Sequence, residues 1–211
     1  MPAARELLLN AALAALEDLP WSAVRMVDVA SAAGLSRQTL YNEFGSKDGL
    51  ARALVRREAD RYLHGVERVL AQPTEPADRL VSVARWTVGE ARDRPLLRAL
   101  ITGCWGERMP QPRPARRGAV LAGVPAQRRA DAGLPAPHEL VAAVRDRSLA
   151  ALGAGRQDGR PELAQRCELV VRLALSYVVA PVGDGVGRPV RTALAGIDQL
   201  VRGAVGVPSV R

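Results

Sequence analysis

Lysine is nearly absent from this 211-residue chain: Lys47 stands alone among 30 basic residues, all the others being arginine. Cysteine and histidine are scarce as well, with only Cys104, Cys167, His64 and His138. Neither a disulfide framework nor a four-ligand zinc cluster can be assembled from so few ligands, so no metal site and no cofactor are expected. Aromatic side chains make up only 3% of the residues. No apolar run approaches the roughly 18–20 residues of a membrane span. The opening Met1-Pro2-Ala3-Ala4-Arg5-Glu6 lacks the charged region and apolar core of a signal peptide. A cytoplasmic protein with no membrane partner is the expectation. Strand-like alternation and internal repeats are missing too, which leaves an all-α fold.

What is present suits a globular protein: 48% apolar residues, 25% charged, mean hydropathy −0.03. The length allows a small head and a larger second domain. The net charge of +8 suggests a nucleic-acid partner, but its distribution weakens that argument. Residues 1–47 hold four basic side chains (Arg5, Arg25, Arg37, Lys47) against five acidic ones (Glu6, Glu17, Asp18, Asp28, Glu43). Residues 85–129 hold ten arginines against three acids, a pattern that ordinarily marks solvated helix faces. Any case for DNA must rest on where charges sit.

The spacing of Leu8, Ala12, Ala15, Leu16 and Leu19 predicts an amphipathic helix stopped by Pro20. A short helix over 27–33 is closed by Gly34, and Ser36 offers an N-cap to a second one ending at Phe44. Gly45-Ser46 repeats the punctuation, with Ser46 capping a long helix from about Lys47 to Ala71. Further helices are expected at 77–93, 95–105, 138–152, 162–180 and 190–205. A short one is expected at 114–131, within a proline-rich stretch. The head, residues 1–50, passes into the second domain, 51–211, inside the long helix and without a flexible linker.

The segment from Val24 to Leu50 reads as helix, tight turn, helix. Val29, Ala30 and Ala33 give the first helix a small inward face, Leu35 plugs the turn, and Leu40 with Phe44 gives the second a matching face. Turning those residues inward leaves Arg37, Gln38, Thr39, Tyr41 and Asn42 along the exposed side and start of the second helix, where a recognition helix meets base edges. Arginine pairs bidentately with guanine, glutamine with adenine, and a threonine methyl meets thymine. Tyr41 and Lys47 suit phosphates, and the amides at the helix start, where Ser36 sits, add anion-binding donors. The single lysine at position 47 fits, since a flexible point charge suits a phosphate.

The pattern Val29-Ala30, Ala33-Gly34-Leu35-Ser36, Thr39-Leu40-Tyr41, Phe44, Ser46-Lys47 and Leu50 resembles the DNA-binding head of the TetR (tetracycline repressor) family, over about the first 60 residues. The resemblance implies an all-helical ligand-binding and dimerisation domain, a two-fold dimer, and repression relieved by a small effector. Two positions depart from the pattern. Arg25 stands where threonine or serine commonly caps the first helix of the motif; it cannot cap, but it can reach a phosphate. Glu43 is unusual so near DNA and is expected to point sideways.

The second domain is less informative. Trp86, Ile101, Trp105, Val144, Leu173 and Tyr177 are candidate walls of a pocket that is mostly aliphatic. Arg113, Arg116, Arg117, Arg128 and Arg129 could hold a carboxylate or phosphate at its mouth. The last two helices carry more apolar surface than one subunit needs, which predicts a homodimer closed by a four-helix bundle and an operator that is an inverted repeat. An enzyme would need a nucleophile, base or metal set that the chain does not supply, so no catalytic residues are expected. A non-specific architectural DNA-binding protein would not need so large a second domain. Activation in place of repression starts from the same DNA contacts.

Overall fold

The computed structural model describes residues 3–111, 134–153 and 160–180. Among them are eight helices and no strand: α1 (Ala4–Asp18), α2 (Met26–Ala32), α3 (Arg37–Phe44), α4 (Lys47–Leu70), α5 (Pro76–Asp93), α6 (Pro95–Thr102), α7 (Pro137–Leu152) and α8 (Arg160–Val179). The protein is all-α, as its periodicity implies. The helices expected at 114–131 and 190–205, and the cluster Arg113, Arg116, Arg117, Arg128 and Arg129, lie outside the described residues. No helix of the described residues is long and apolar enough to cross a membrane.

The chain divides into two compact units, one of residues 1–59 and 104–135, the other of 60–103 and 136–211. The division falls inside α4. In the first unit α1 packs on both α2 and α3, and α2 on α3. Leu8, Leu9 and Ala12 of α1, Val29 and Ala30 of α2, and Leu40 and Phe44 of α3 are all buried there. Segment 104–111 also belongs to this unit. The Trp21 amide donates to the Arg108 carbonyl at 2.9 Å, and the Arg108 guanidinium donates to the Asp18 carbonyl at 3.2 Å.

In the second unit α8 packs chiefly on α5 and α7 and also meets α6. Its core joins Leu80, Val81 and Ala84 of α5 to Cys167, Val170 and Ala174 of α8. Small side chains at this seam let the two helices approach closely. Each fully buried leucine or valine contributes about 1.5–3 kcal/mol relative to exposure. Burial pushes the Cys167 thiol up to about 11, so it sits in the seam as a neutral apolar group. Helix α6 stops earlier than its hydrophobic pattern suggests, because Gly103 takes the left-handed conformation (φ 74°) and its amide closes on the Ala99 carbonyl. Helix α7 starts with Pro137 in its first turn, and the Glu139 carboxylate accepts from the Ala136 amide at 2.7 Å.

Trp86 of α5 packs against α4 where Gly65 leaves room, and the Arg68 guanidinium stands 5.6 Å from its ring centroid. A methyl group at position 65 would collide with the indole, a rigid ring that cannot fold away. Gly65→Ala should gain about 1 kcal/mol of helix propensity and lose roughly 1–3 kcal/mol to overpacking. The expected result is a lower melting temperature, recovered when Trp86→Leu is added. An unchanged melting temperature for the single variant would show that the indole is not seated on α4.

Candidate nucleic-acid interface

The helix-turn-helix is built by local chemistry. At the turn Gly34 adopts φ 66°, and the Leu35 amide returns to the Ala30 carbonyl at 2.9 Å. Ser36 is the N-cap of α3, its Oγ accepting from the Thr39 amide at 3.0 Å and sharing a 2.8 Å hydrogen bond with Thr39 Oγ1. Leu40 and Phe44 turn inward and are at most 2% exposed, which fixes the rotation of α3 about its axis. Arg37, Gln38 and Asn42 are exposed as a result, and Thr39 and Tyr41 half-buried. At the other end of α3, Gly49 is required by space: a Cβ there would run into the Phe44 carbonyl. Ser46 Oγ accepts from the Gly49 amide at 3.0 Å and so caps α4.

Four of the residues expected to meet DNA converge. Arg25, Arg37, Tyr41 and Lys47 line one open concavity of about 450 Å³ with Ser22, Val24, Met26 and Val27. The Arg37 guanidinium lies over the Tyr41 ring, 5.3 Å from its centroid. Lys47 Nζ donates to the Ser22 carbonyl at 3.2 Å and stands 5.2 Å from the centre of the Trp21 ring. Partial desolvation lowers the pKa of its ammonium, opposed by the charge of Asp48; a phosphate oxygen would favour the charged form again. Arg25 precedes α2 without capping it and makes a long 3.8 Å ion pair with exposed Asp28. The other four lie on α3 or at its start. Ser36 and Thr39 are engaged in the cap, and Gln38 Nε2 donates to Asn42 Oδ1 at 2.8 Å on the outer face.

Glu43 does point aside: its carboxylate faces Arg5 of α1 at 3.5 Å. Sequence reasoning missed the platform under Lys47. The signal available was a tryptophan directly after the helix-stopping Pro20, in a chain with only three tryptophans.

The six residues expected around an effector are not gathered in one place. Ile101 borders a small apolar void lined also by Tyr62, Pro137, Leu140, Val141, Val171 and Leu175. Val144 is buried on α7 and Leu173 half-buried on α8. Tyr177 packs on the α5–α8 core. Trp86 covers α4, and Trp105 belongs to the first unit. The void as it stands leaves about 10 Å³, room for roughly one water. Tyr62 is its polar member. Thr87 spends its proton on the Val83 carbonyl at 2.9 Å, so the phenol donates to Thr87 Oγ1 at 2.8 Å. Burial pushes this phenol up to about 12 and keeps it neutral.

A three-helix head that turns a short polar helix outward beside a concavity lined by Arg25, Arg37 and Lys47 is a helix-turn-helix. Residues 8–54 match the family model described as bacterial regulatory proteins, tetR family. The HTH-type transcriptional regulator AlkX of Mycobacterium tuberculosis is 42% identical over 106 residues, covering 48% of this chain and 50% of that one. The uncharacterized HTH-type regulator Rv1255c of the same species is 38% identical over 81 residues, 38% of this chain and 40% of its own. The chain thus spans half or less of the length of the curated relatives it matches. Among solved structures, the TetR family repressor AlkX of a Dietzia species, described as implicated in biodegradation of n-alkanes, is 22% identical with a TM-score of 0.55 over 98% of both chains. A putative tetR-family regulator from Mesorhizobium loti is 18% identical with a TM-score of 0.61 over 100% of both. These two share the fold.

Ser36→Ala removes the α3 cap and should lower stability by about 1 kcal/mol, while Ser36→Asp, an equally good cap, should stay within a few tenths. Equal melting temperatures for wild type and Ser36→Ala would show that the cap contributes nothing.

Proposed function

We propose that this protein is a homodimeric transcriptional repressor that holds operator DNA through α3 and releases it when an aliphatic effector enters the second unit. The observation that carries the reading is the convergence of Arg25, Arg37, Tyr41 and Lys47 on one concavity beside the exposed face of α3. In this reading Lys47 and Tyr41 hold phosphates, Arg25 reaches the backbone from the start of α2, and Ser36 and Thr39 present the first turn of α3. Arg37, Gln38 and Asn42 meet base edges. Residues 1–50 act as the DNA-binding part and 51–211 as the effector and dimerisation part. Two heads reading successive major grooves about 34–36 Å apart require an inverted-repeat operator. Leu169 and Val179, exposed on α8, are apolar surface for a second copy. The role is binding and release, not catalysis, and its place is the cytoplasm, with the DNA.

The test is binding to DNA upstream of the protein's own gene and its neighbours, at several salt concentrations and against random competitor. Wild type should bind an inverted repeat tightly, Tyr41→Ala should lose it, and Lys47→Ala should reduce the log–log salt slope by about one. Equal weak binding to every fragment would favour the architectural reading.

For the effector, the apolar lining of the void favours an aliphatic chain of the fatty-acid or alkane kind over an aromatic one. A saturating ligand at about 100 times its Kd stabilises the folded state by about 2.7 kcal/mol. Medium-chain alkanes, alcohols and acids should therefore raise the melting temperature, and operator DNA should weaken their binding by the factor by which they weaken DNA binding. Stabilisation by aromatic antibiotics alone would overturn the aliphatic assignment.

A further inference from the structure

The head contains an acid that its function has no use for. Glu43 lies in the last turn of α3, beside the surface that the proposed function brings to DNA, where a bare carboxylate would repel phosphates. Arg5 of α1 meets it: Nη1 stands 3.5 Å from Glu43 Oε2, with the two side chains only 26% and 27% exposed. The same guanidinium covers the ring of Phe44, 4.8 Å from its centroid. Phe44 is the deepest anchor of the C-terminal half of α3, so one side chain touches both the charge and the anchor of that turn. Arg5 is itself held in place by its neighbour in α1. Glu6 pairs with Arg57 of α4 at 3.4 Å, and Arg57 also donates to Asn10 Oδ1 at 2.7 Å and to the Leu9 carbonyl at 3.1 Å. The first turns of α1 are thereby tied to α4 at three points.

We infer that Arg5 is a positioning residue for operator binding: it masks Glu43 and clamps Phe44, so that the end of α3 can approach DNA. The inference rests on α3 being the DNA reader. Arg5 makes no phosphate contact in this arrangement, which sets it apart from Lys47 and gives it a distinct signature.

The experiment is a double-mutant cycle on full-length protein with the operator fragment bound by wild type, read as affinity against salt. Arg5→Gln should weaken binding about tenfold, the equivalent of roughly 1.4 kcal/mol, with the salt slope unchanged. Glu43→Gln, which keeps Arg5 over Phe44, should bind within about threefold of wild type, the range left to a lost surface ion pair. Arg5→Gln with Glu43→Gln should recover most of the loss. Wild-type affinity in Arg5→Gln, absence of rescue in the double variant, or a tenfold loss in Glu43→Gln would each overturn the inference. A salt slope reduced by about one in Arg5→Gln would also overturn it, since Arg5 would then be a phosphate contact. Should Arg5→Gln lose its cooperative melt, Arg5→Met, which keeps an apolar cover on Phe44 and removes only the charge beside Glu43, takes its place in the cycle, with the same tenfold loss and the same rescue by Glu43→Gln expected, and wild-type affinity overturning the inference. If wild type binds no DNA fragment at all, the proposed function fails first, so the two failures remain separable.

Discussion

The head depends on the burial of Phe44. It is the only phenylalanine in the chain and is 2% exposed. Its ring fixes the rotation of α3 together with Leu40, and its backbone closes the next turn: the Ser46 amide donates to its carbonyl at 2.7 Å, and Gly49 is bare because that carbonyl fills the space. The direction in which α4 leaves the motif follows from those two contacts. Since Lys47 opens α4, the place of its ammonium over Trp21 follows as well. One residue thus sets, through its buried ring, the face that α3 exposes and, through its carbonyl, the point from which the single lysine reaches.

The second unit is organised on a different principle. Its helices meet through small residues, Ala84, Cys167 and Ala174, and its one wholly buried hydroxyl pair, Tyr62 with Thr87 among the described residues, is satisfied in sequence down to the Val83 carbonyl. A polar pair so enclosed has a defined proton order and leaves no uncompensated donor. The apolar void beside Tyr62 is closed to anything larger than a water. Ligand pockets usually measure about 300–1,000 Å³. Entry of the proposed effector here would therefore require the packing around Ile101, Leu140 and Val171 to give way.

The architecture of the head was legible in its sequence because every signal there is local. Caps at Ser36 and Ser46, the left-handed turn at Gly34 and the inward stripe Val29, Ala30, Leu40, Phe44 each act within a few residues, and the observed helices begin and end within one or two positions of them. The sideways turn of Glu43 could be argued from charge alone. Its partner could not, because Arg5 and Glu43 are joined only by the packing of α1 on α3. The same holds for Trp21 under Lys47 and for Arg57 on α1. In the second unit the aromatic residues stood out by rarity, yet rarity does not say where a ring points. Trp86 covers Gly65, and Trp105 falls in the other unit, while Tyr62, inside a helix with no special spacing, lines the void.

Charge in the head illustrates why placement outweighs totals. Residues 1–47 carry more acids than bases, which by counting alone opposes a DNA partner. Three of those acids are engaged by arginines: Glu43 by Arg5, Glu6 by Arg57 and, more loosely, Asp28 by Arg25. Arg57 comes from beyond the counted segment, on α4. Arg37 lies over a ring and Lys47 over another, where neither is paired with a carboxylate among the contacts that define the concavity. A cation on an aromatic face keeps its charge available to an incoming anion, whereas a cation paired with a carboxylate does not. Three cations therefore gather at the concavity while the sum over the segment is negative, and at a Debye length of about 8 Å in physiological salt the nearest charges are the ones a phosphate there would meet.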